Sequence, residues 1–109
     1  MKQYDFWWAA LAQPAGMRPV LILSRDFACA RLRRVAAVEI TTNVRGTPQE
    51  MPVGPSDGLP ERSVANFDNI IAVPQSCFHT RIAPLRGARI AEVKRAVGAA
   101  FAWPELNSD

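Results

Sequence analysis

The stretch RPVLILS at residues 18–24 sets the architecture of this chain, because an apolar run of this length between polar residues predicts a buried β-strand. Arg18 opens the run, so its guanidinium is expected at the rim of a core, where its fixed fork of donors can point at a phosphate. Two further segments share this design. Residues 38–43 end an apolar strand in hydroxyls and an amide, and residues 63–70 carry Asn, Asp and Asn within an apolar stretch. Each of these three strands carries, at one end, side chains that can hydrogen-bond a phosphate or a base edge. This pattern indicates a nucleic-acid site.

The remaining pattern predicts a protein that is mainly β with α. Turn residues separate short strands, which are predicted at residues 5–11, 18–24, 34–42, 50–53, 63–67, 69–73 and 81–85. Apolar residues then recur at three- and four-residue steps, which predicts an amphipathic helix at residues 88–101 that ends before Pro104. Strands that close on themselves under one helix make a small SH3-like β-barrel, an architecture that removes strand edges.

Composition places the chain among ordinary globular proteins and predicts a single domain at residues 1–109. Apolar residues make up 49% and charged residues 21%, and the net charge is +3 with arginine supplying nearly all of the positive side. Arginine suits bidentate contact with phosphate, although this usage could equally reflect genomic base composition. Cys29 and Cys77 show no metal-ligand or disulfide-scaffold spacing, which favours the reducing cytoplasm. No apolar run is long enough to span a bilayer, so a membrane is not an expected partner.

Several common catalytic groups are absent from the sequence, and their absence limits the reaction mechanisms open to this chain. His79 is the only histidine, which excludes cleavage of RNA by a histidine pair within one subunit. No cluster has metal-ligand spacing, and phosphate loops and the nucleophile elbow are absent. An enzyme built from this chain is therefore expected to work by orientation and charge stabilisation, without a metal or cofactor. RNA suits that strategy because its 2′-hydroxyl is a built-in nucleophile.

The order of these segments resembles the MazF/PemK family of toxin endoribonucleases. The resemblance is carried by residues 18–26, by residues 40–42 followed by 45–46, and by residues 58–60, 63–70 and 81–85 ahead of the closing helix. It implies a barrel of the CcdB/PemK type and a homodimer. It also implies a type II toxin–antitoxin system, in which a cognate antitoxin protein blocks an mRNA interferase. The reaction it implies is metal-independent, sequence-specific cleavage of single-stranded RNA that leaves 2′,3′-cyclic phosphate and 5′-hydroxyl ends.

The same resemblance assigns roles to particular residues. The family's catalytic arginine and threonine map onto Arg18 and Thr41. Asp68 is the third catalytic candidate, since it could orient Arg18, accept a base-edge donor or deprotonate the 2′-hydroxyl. It could instead be structural and accept hydrogen bonds from a neighbouring loop. The residues expected to bind RNA are Thr42, Arg45, Asn66 and Asn69.

Several features depart from the family pattern or leave alternatives open. Many members have an arginine shortly after the aspartate, where this chain has Ile71 or Ala72. The loop at residues 12–17 is short, so RNA sequence preference is expected to be relaxed or set elsewhere. Trp7 and Trp8 point to opposite faces of one strand, so one is core, and the other could stack on a base, lie in the dimer seam or also pack in the core.

Two other functions are compatible with the same fold. A CcdB-like toxin binds DNA gyrase and cleaves nothing, and a catalytically weak homologue only binds RNA. The presence of both Arg18 and Thr41 argues against the gyrase poison. The segment at residues 103–105 also does not resemble the helix tip with which such toxins bind gyrase.

Overall fold

A computed structural model describes residues 1–107 and contains one sheet of six antiparallel strands and two α-helices. The predicted domain at residues 1–109 includes residues 108 and 109, which lie outside the described part. The elements in chain order are β1 (Asp5–Ala10), β2 (Met17–Ile22), α1 (Asp26–Arg31), β3 (Arg34–Thr41), β4 (Glu50–Val53), β5 (Ser63–Pro74), β6 (Phe78–Pro84) and α2 (Ile90–Phe101).

The strands follow the order β4-β5-β3-β2-β1-β6, and the sheet curls into a half-barrel. No ladder joins β4 to β6, so two strand edges remain where the sequence predicts a closed barrel without edges. The turn that follows β4 packs against side chains of β6 instead. Gly58, at φ +89°, follows a 3₁₀ turn after β4, and a Cβ there would lie 3.2 Å from Cβ of Ala83 in β6. A side chain here would be strained at this φ and would crowd Ala83, so glycine suits the position.

Alternation along each strand divides the apolar residues between two faces of the sheet. The first cluster lies between the curled sheet and α2 and includes Phe6, Leu21 and Ile40, with Val93 from the helix. The second cluster covers the opposite face, and its buried residues are Ala9, Val20, Ile22, Cys29, Val35, Ala37 and Val73. Each fully buried large side chain contributes about 1.5–3 kcal/mol, so both faces stabilise the sheet.

The structure joins two predicted strands into one. Residues 63–67 and 69–73 belong to the single strand β5, which carries a bulge against β3. Val38 pairs with Ile70 while Ile40 pairs with Ala65, so four residues of β5 face Glu39 alone. The polar residues 66, 68 and 69 lie in this bulge. They break the apolar pattern, which explains why the sequence predicts two strands where the structure has one.

The helices differ from prediction at their ends and in number. Helix α2 begins at Ile90, after a 3₁₀ turn at Gly87–Arg89, and ends at Phe101 as expected. Helix α1 was not predicted, because its six residues are too few to show a helical period. It buries Ala28 and Cys29, and Cys29 packs in the second cluster. No helix among the described residues is long and apolar enough to cross a membrane.

Two buried carboxylates, those of Asp5 and Asp57, form ion pairs with arginines from other elements of the fold. Arg81 in β6 donates from Nε and Nη2 to both oxygens of Asp5, each at 3.2 Å. Burial alone would raise the pKa of Asp5, but the bonds from Arg81 and from the Lys2 backbone N–H outweigh it and hold that pKa below its usual value. Arg89, the last residue of the 3₁₀ turn before α2, donates to Asp57 at 2.7 Å and so fixes the start of the helix to the turn after β4.

Candidate active site

Arg18 is the second residue of β2 and is half-buried. It pairs across the sheet with Ala9, a member of the second cluster, so its side chain leaves the sheet on the second face. Its Nε donates to the Ala15 carbonyl at 3.0 Å, and no carboxylate within residues 1–107 pairs with it. The guanidinium is therefore oriented by one main-chain bond, and its remaining donors are available to an anion.

Thr41 ends β3 on the strand next to Arg18. The β2–β3 pairing runs from Ile22↔Ala37 to Val20↔Glu39 and ends there. The same register, continued by two residues along both strands, would set Arg18 opposite Thr41. Directly opposite residues of an antiparallel pair point to the same face. The Thr41 Oγ1 accepts the Asn43 N–H at 3.1 Å, which leaves the hydroxyl proton free to donate. The register thus assembles a guanidinium and a hydroxyl at one strand end.

Asp68 lies apart from this pair within one subunit. It is exposed in the bulge of β5, and β3 separates that strand from β2. Gln49, which precedes β4, donates from Nε2 to the Asp68 carboxylate at 2.7 Å. The structure does not place Asp68 against Arg18, and the bond from Gln49 corresponds to the alternative in which a neighbouring segment satisfies this carboxylate.

The residues predicted to bind RNA fall in two groups. Thr42 and Arg45 are exposed on the segment that follows β3, and Asn69 is exposed in the β5 bulge. Asn66 is half-buried, and its Oδ1 accepts the Asp68 backbone N–H at 3.0 Å. The structure therefore groups Thr42 with Arg18 and Thr41, and groups both asparagines with Asp68.

A buried carboxylate that the sequence analysis missed holds the Arg45 loop. Glu50, only 8% exposed, accepts backbone N–H groups from Arg45, Gly46 and Thr47, the shortest at 2.7 Å. Charge-assisted bonds of this kind order a loop more strongly than neutral ones. The sequence signal was an acidic residue opening a strand just after a Gly-Thr-Pro turn.

Within residues 1–107, no three His, Cys, Asp or Glu side chains are grouped closely enough to hold a metal ion.

Comparison with known proteins decides the family. A model of PemK-like, MazF-like toxins of type II toxin–antitoxin systems matches residues 2–101. The chain belongs to this toxin family. It is 38% identical over 87 residues to probable endoribonuclease MazF5 of Mycobacterium tuberculosis, covering 79% of each chain. It is 36% identical over 91 residues to endoribonuclease MazF3 of the same organism, covering 84% of this chain and 88% of that one.

Solved structures of MazF-like toxins have the same fold. Mycobacterium tuberculosis toxin MazF-mt6 superposes with a TM-score of 0.83 at 34% identity, covering 90% of this chain and 96% of the toxin. An endoribonuclease in complex with its cognate antitoxin, from a mycobacterial species, gives a TM-score of 0.81 at 25% identity, covering 95% and 97%. The predicted resemblance to the MazF/PemK family and the predicted fold class are confirmed.

Proposed function

We propose that this chain is the toxin of a type II toxin–antitoxin pair and acts as an endoribonuclease on single-stranded RNA. It cuts at a short sequence without a metal ion and leaves 2′,3′-cyclic phosphate and 5′-hydroxyl ends. The observation that supports the proposal is that Arg18 and Thr41 lie at the same end of neighbouring antiparallel strands in a MazF-family fold. Single strands are the substrate because only unpaired bases expose edges that can be read.

In the proposed reaction the 2′-hydroxyl gives its proton to water as its oxygen attacks the neighbouring phosphorus. The bond from phosphorus to the 5′-oxygen breaks, and the departing 5′-oxygen takes up a proton from water. The free guanidinium donors of Arg18 stabilise the charge that grows on the phosphoryl oxygens. The Thr41 hydroxyl donates to one of the same oxygens. Donors preorganised in this way typically contribute ~10²–10³-fold each. Arg18 stabilises charge and does not act as a general acid, because a guanidinium resists deprotonation.

Asp68 enters the proposal as a group that touches the RNA some distance along the strand from the cut. Its exposed carboxylate, already bound by Gln49, can accept a base-edge donor without approaching Arg18 in its own subunit. Asn69 beside it supplies an amide for the same purpose, and Arg45 contacts the RNA backbone from its ordered loop.

The proposed partners are a second copy of this chain and an antitoxin. A groove of about 550 Å³ on the second face is lined mainly by apolar residues, among them Leu11, Ile71 and Val73, and a copy of the chain would bury it. An acidic or amphipathic antitoxin segment would lie over the positive surface around Arg18 and Arg45 and so exclude RNA. The two free cysteines, Cys29 and Cys77, fit a cytoplasmic location.

The test is incubation of the pure protein with mixed RNA in EDTA, followed by analysis of the fragment ends. Fragments that end in cyclic phosphate support the proposal. A mobility shift without cutting would identify an RNA-binding protein, and loss of gyrase supercoiling with intact RNA would identify a gyrase poison. Either of these results overturns the proposal.

A further inference from the structure

A slot opens on the first face of the sheet at the same strand ends. It has a volume of about 210 Å³ and is lined by Trp8, Pro19, Ile40, Thr42, Glu61 and Ser63, with Arg18 at its rim. Trp8 pairs with Pro19 across β1 and β2, so the indole and the pyrrolidine ring lie side by side on this face. Pockets for drug-sized ligands measure about 300–1,000 Å³, so this slot suits something smaller, such as one flat ring.

The polar groups of the slot are not all satisfied by the protein. The Ser63 hydroxyl is buried and donates to the Glu61 carbonyl at 3.0 Å. The Glu61 carboxylate has neither a hydrogen-bond partner nor an ion-pair partner within residues 1–107. It is exposed at the slot, so it can accept hydrogen bonds from a ligand without losing a bond inside the protein.

The slot adjoins the Arg18–Thr41 pair through the backbone. Thr41 and Thr42 are successive residues, about 3.8 Å apart at Cα, and their side chains leave opposite faces of the sheet. Arg18 and Pro19 are arranged in the same way on β2. A nucleotide whose phosphate lies at Arg18 and Thr41 can therefore pass around the strand end and place its base in the slot.

We propose that this slot binds the nucleobase next to the scissile phosphate and selects bases that carry an exocyclic amine. The proposal rests on the endoribonuclease function proposed above. Trp8 and Pro19 supply apolar ring surfaces against which a base can lie. The Glu61 carboxylate accepts from the amine of cytosine, adenine or guanine. Uracil carries no amine. Its one Watson–Crick donor, the ring N–H, lies between two carbonyl oxygens that repel the Glu61 carboxylate, so uracil is disfavoured.

Glu61→Gln provides the main test, because it keeps the shape of the side chain and adds a donor. Cleavage rates are compared on four short RNAs that differ only in one base beside the cut, with each flanking position examined in turn. The wild-type protein is expected to cut the uracil substrate at least about fivefold more slowly than the best amine-bearing base at one flanking position. Glu61→Gln is expected to lose that difference. Arg62→Gln is the matched control, because Arg62 is adjacent and exposed but does not line the slot.

An abasic substrate gives a second readout that does not depend on a variant. Removal of the base at the position that Glu61 reads should raise KM for the wild-type protein more than it lowers kcat. If the wild-type protein cuts RNA and Glu61→Gln has the same base preference, the slot inference is wrong while the nuclease function stands. If the wild-type protein cuts no RNA, the proposed function fails, and the inference fails with it.

Discussion

Arg18, near the start of β2, and Thr41, at the end of β3, lie at the same end of two neighbouring antiparallel strands, and alternation from the Val20↔Glu39 pair puts both side chains on the same face of the sheet. The guanidinium is held by the Ala15 carbonyl and the hydroxyl by the Asn43 N–H, so each side chain is fixed by one bond and keeps donors free. A phosphate that binds between them would receive hydrogen bonds from two strands of a rigid sheet. This relationship is the basis of the predictions on cleavage.

Replacement of Arg18 by Ala should reduce the cleavage rate about 100-fold or more, because it removes donors aimed at the charge that develops on the phosphate. Arg18→Lys should recover little activity, since an ammonium lacks the planar fork. The measurement is the single-turnover cleavage rate on a short RNA in EDTA. Arg33→Ala is the control, because Arg33 is exposed near the opposite end of β3 and should leave the rate unchanged.

Replacement of Thr41 by Ala should also reduce the cleavage rate, by ~10²–10³-fold, if its hydroxyl donates to a phosphoryl oxygen. Thr41→Ser keeps that hydroxyl and the bond from Asn43 and should retain most of the activity. Circular dichroism and the elution volume check that each variant is folded and has the oligomeric state of the wild type. Equal activity of the Ala and Ser variants would remove Thr41 from the mechanism.

How far the sequence predicts these features depends on the range of the interaction that produces them. Strand β4 was predicted with its observed bounds and α2 with its observed end, because both follow from local patterns. The β5 bulge depends on pairing with β3, and the pairing of Arg18 with Thr41 depends on the β2–β3 register. Neither register is visible in the residues themselves, so the residue pattern predicts Arg18 and the hydroxyls after the third strand as anion-binding groups, and only the family resemblance pairs Arg18 with Thr41.

The Asp5–Arg81 pair should make stability depend on pH at the acid end. Folding lowers the Asp5 pKa, so the pair stabilises the protein fully above the unfolded-state value of about 3.9, and the contribution is lost as pH falls through the lower folded-state pKa. Urea unfolding of wild type and Arg81→Gln should therefore differ at pH 7 and converge as the pH approaches 2. A difference of the same size at both pH values would show that the pair stabilises through packing alone.

Removal of Arg89 should destabilise the fold without altering the cleavage site. Arg89→Met removes the charged partner of the buried Asp57 carboxylate and leaves it only the Gly54 backbone N–H among residues 1–107, and loss of one partner of a buried ion pair costs about 3–5 kcal/mol in comparable cases. Lys94→Met is the control, because Lys94 is exposed on α2, the helix that follows Arg89, and should change the free energy of unfolding by less than about 0.5 kcal/mol. Urea denaturation measures both values, and similar losses in the two variants would contradict the structural role of the Arg89–Asp57 pair.

Removal of the Glu50 carboxylate should loosen the loop that carries Arg45. Glu50→Gln replaces an acceptor oxygen by a donor amide opposite backbone N–H groups, which is expected to cost about 1–3 kcal/mol of stability. Hydrogen exchange at residues 45–47 should accelerate, and RNA affinity should fall with it. Unchanged protection of these amides would contradict the proposed role of Glu50.

The most direct test of the central claim compares the wild type, Arg18→Ala, Thr41→Ala and the double variant on one short single-stranded RNA in EDTA. If both side chains stabilise charge on the same phosphodiester, the wild type should leave cyclic phosphate ends, and each single variant should cut about 100-fold more slowly or worse while remaining folded. Cleavage by either folded single variant at the wild-type rate would contradict the assignment.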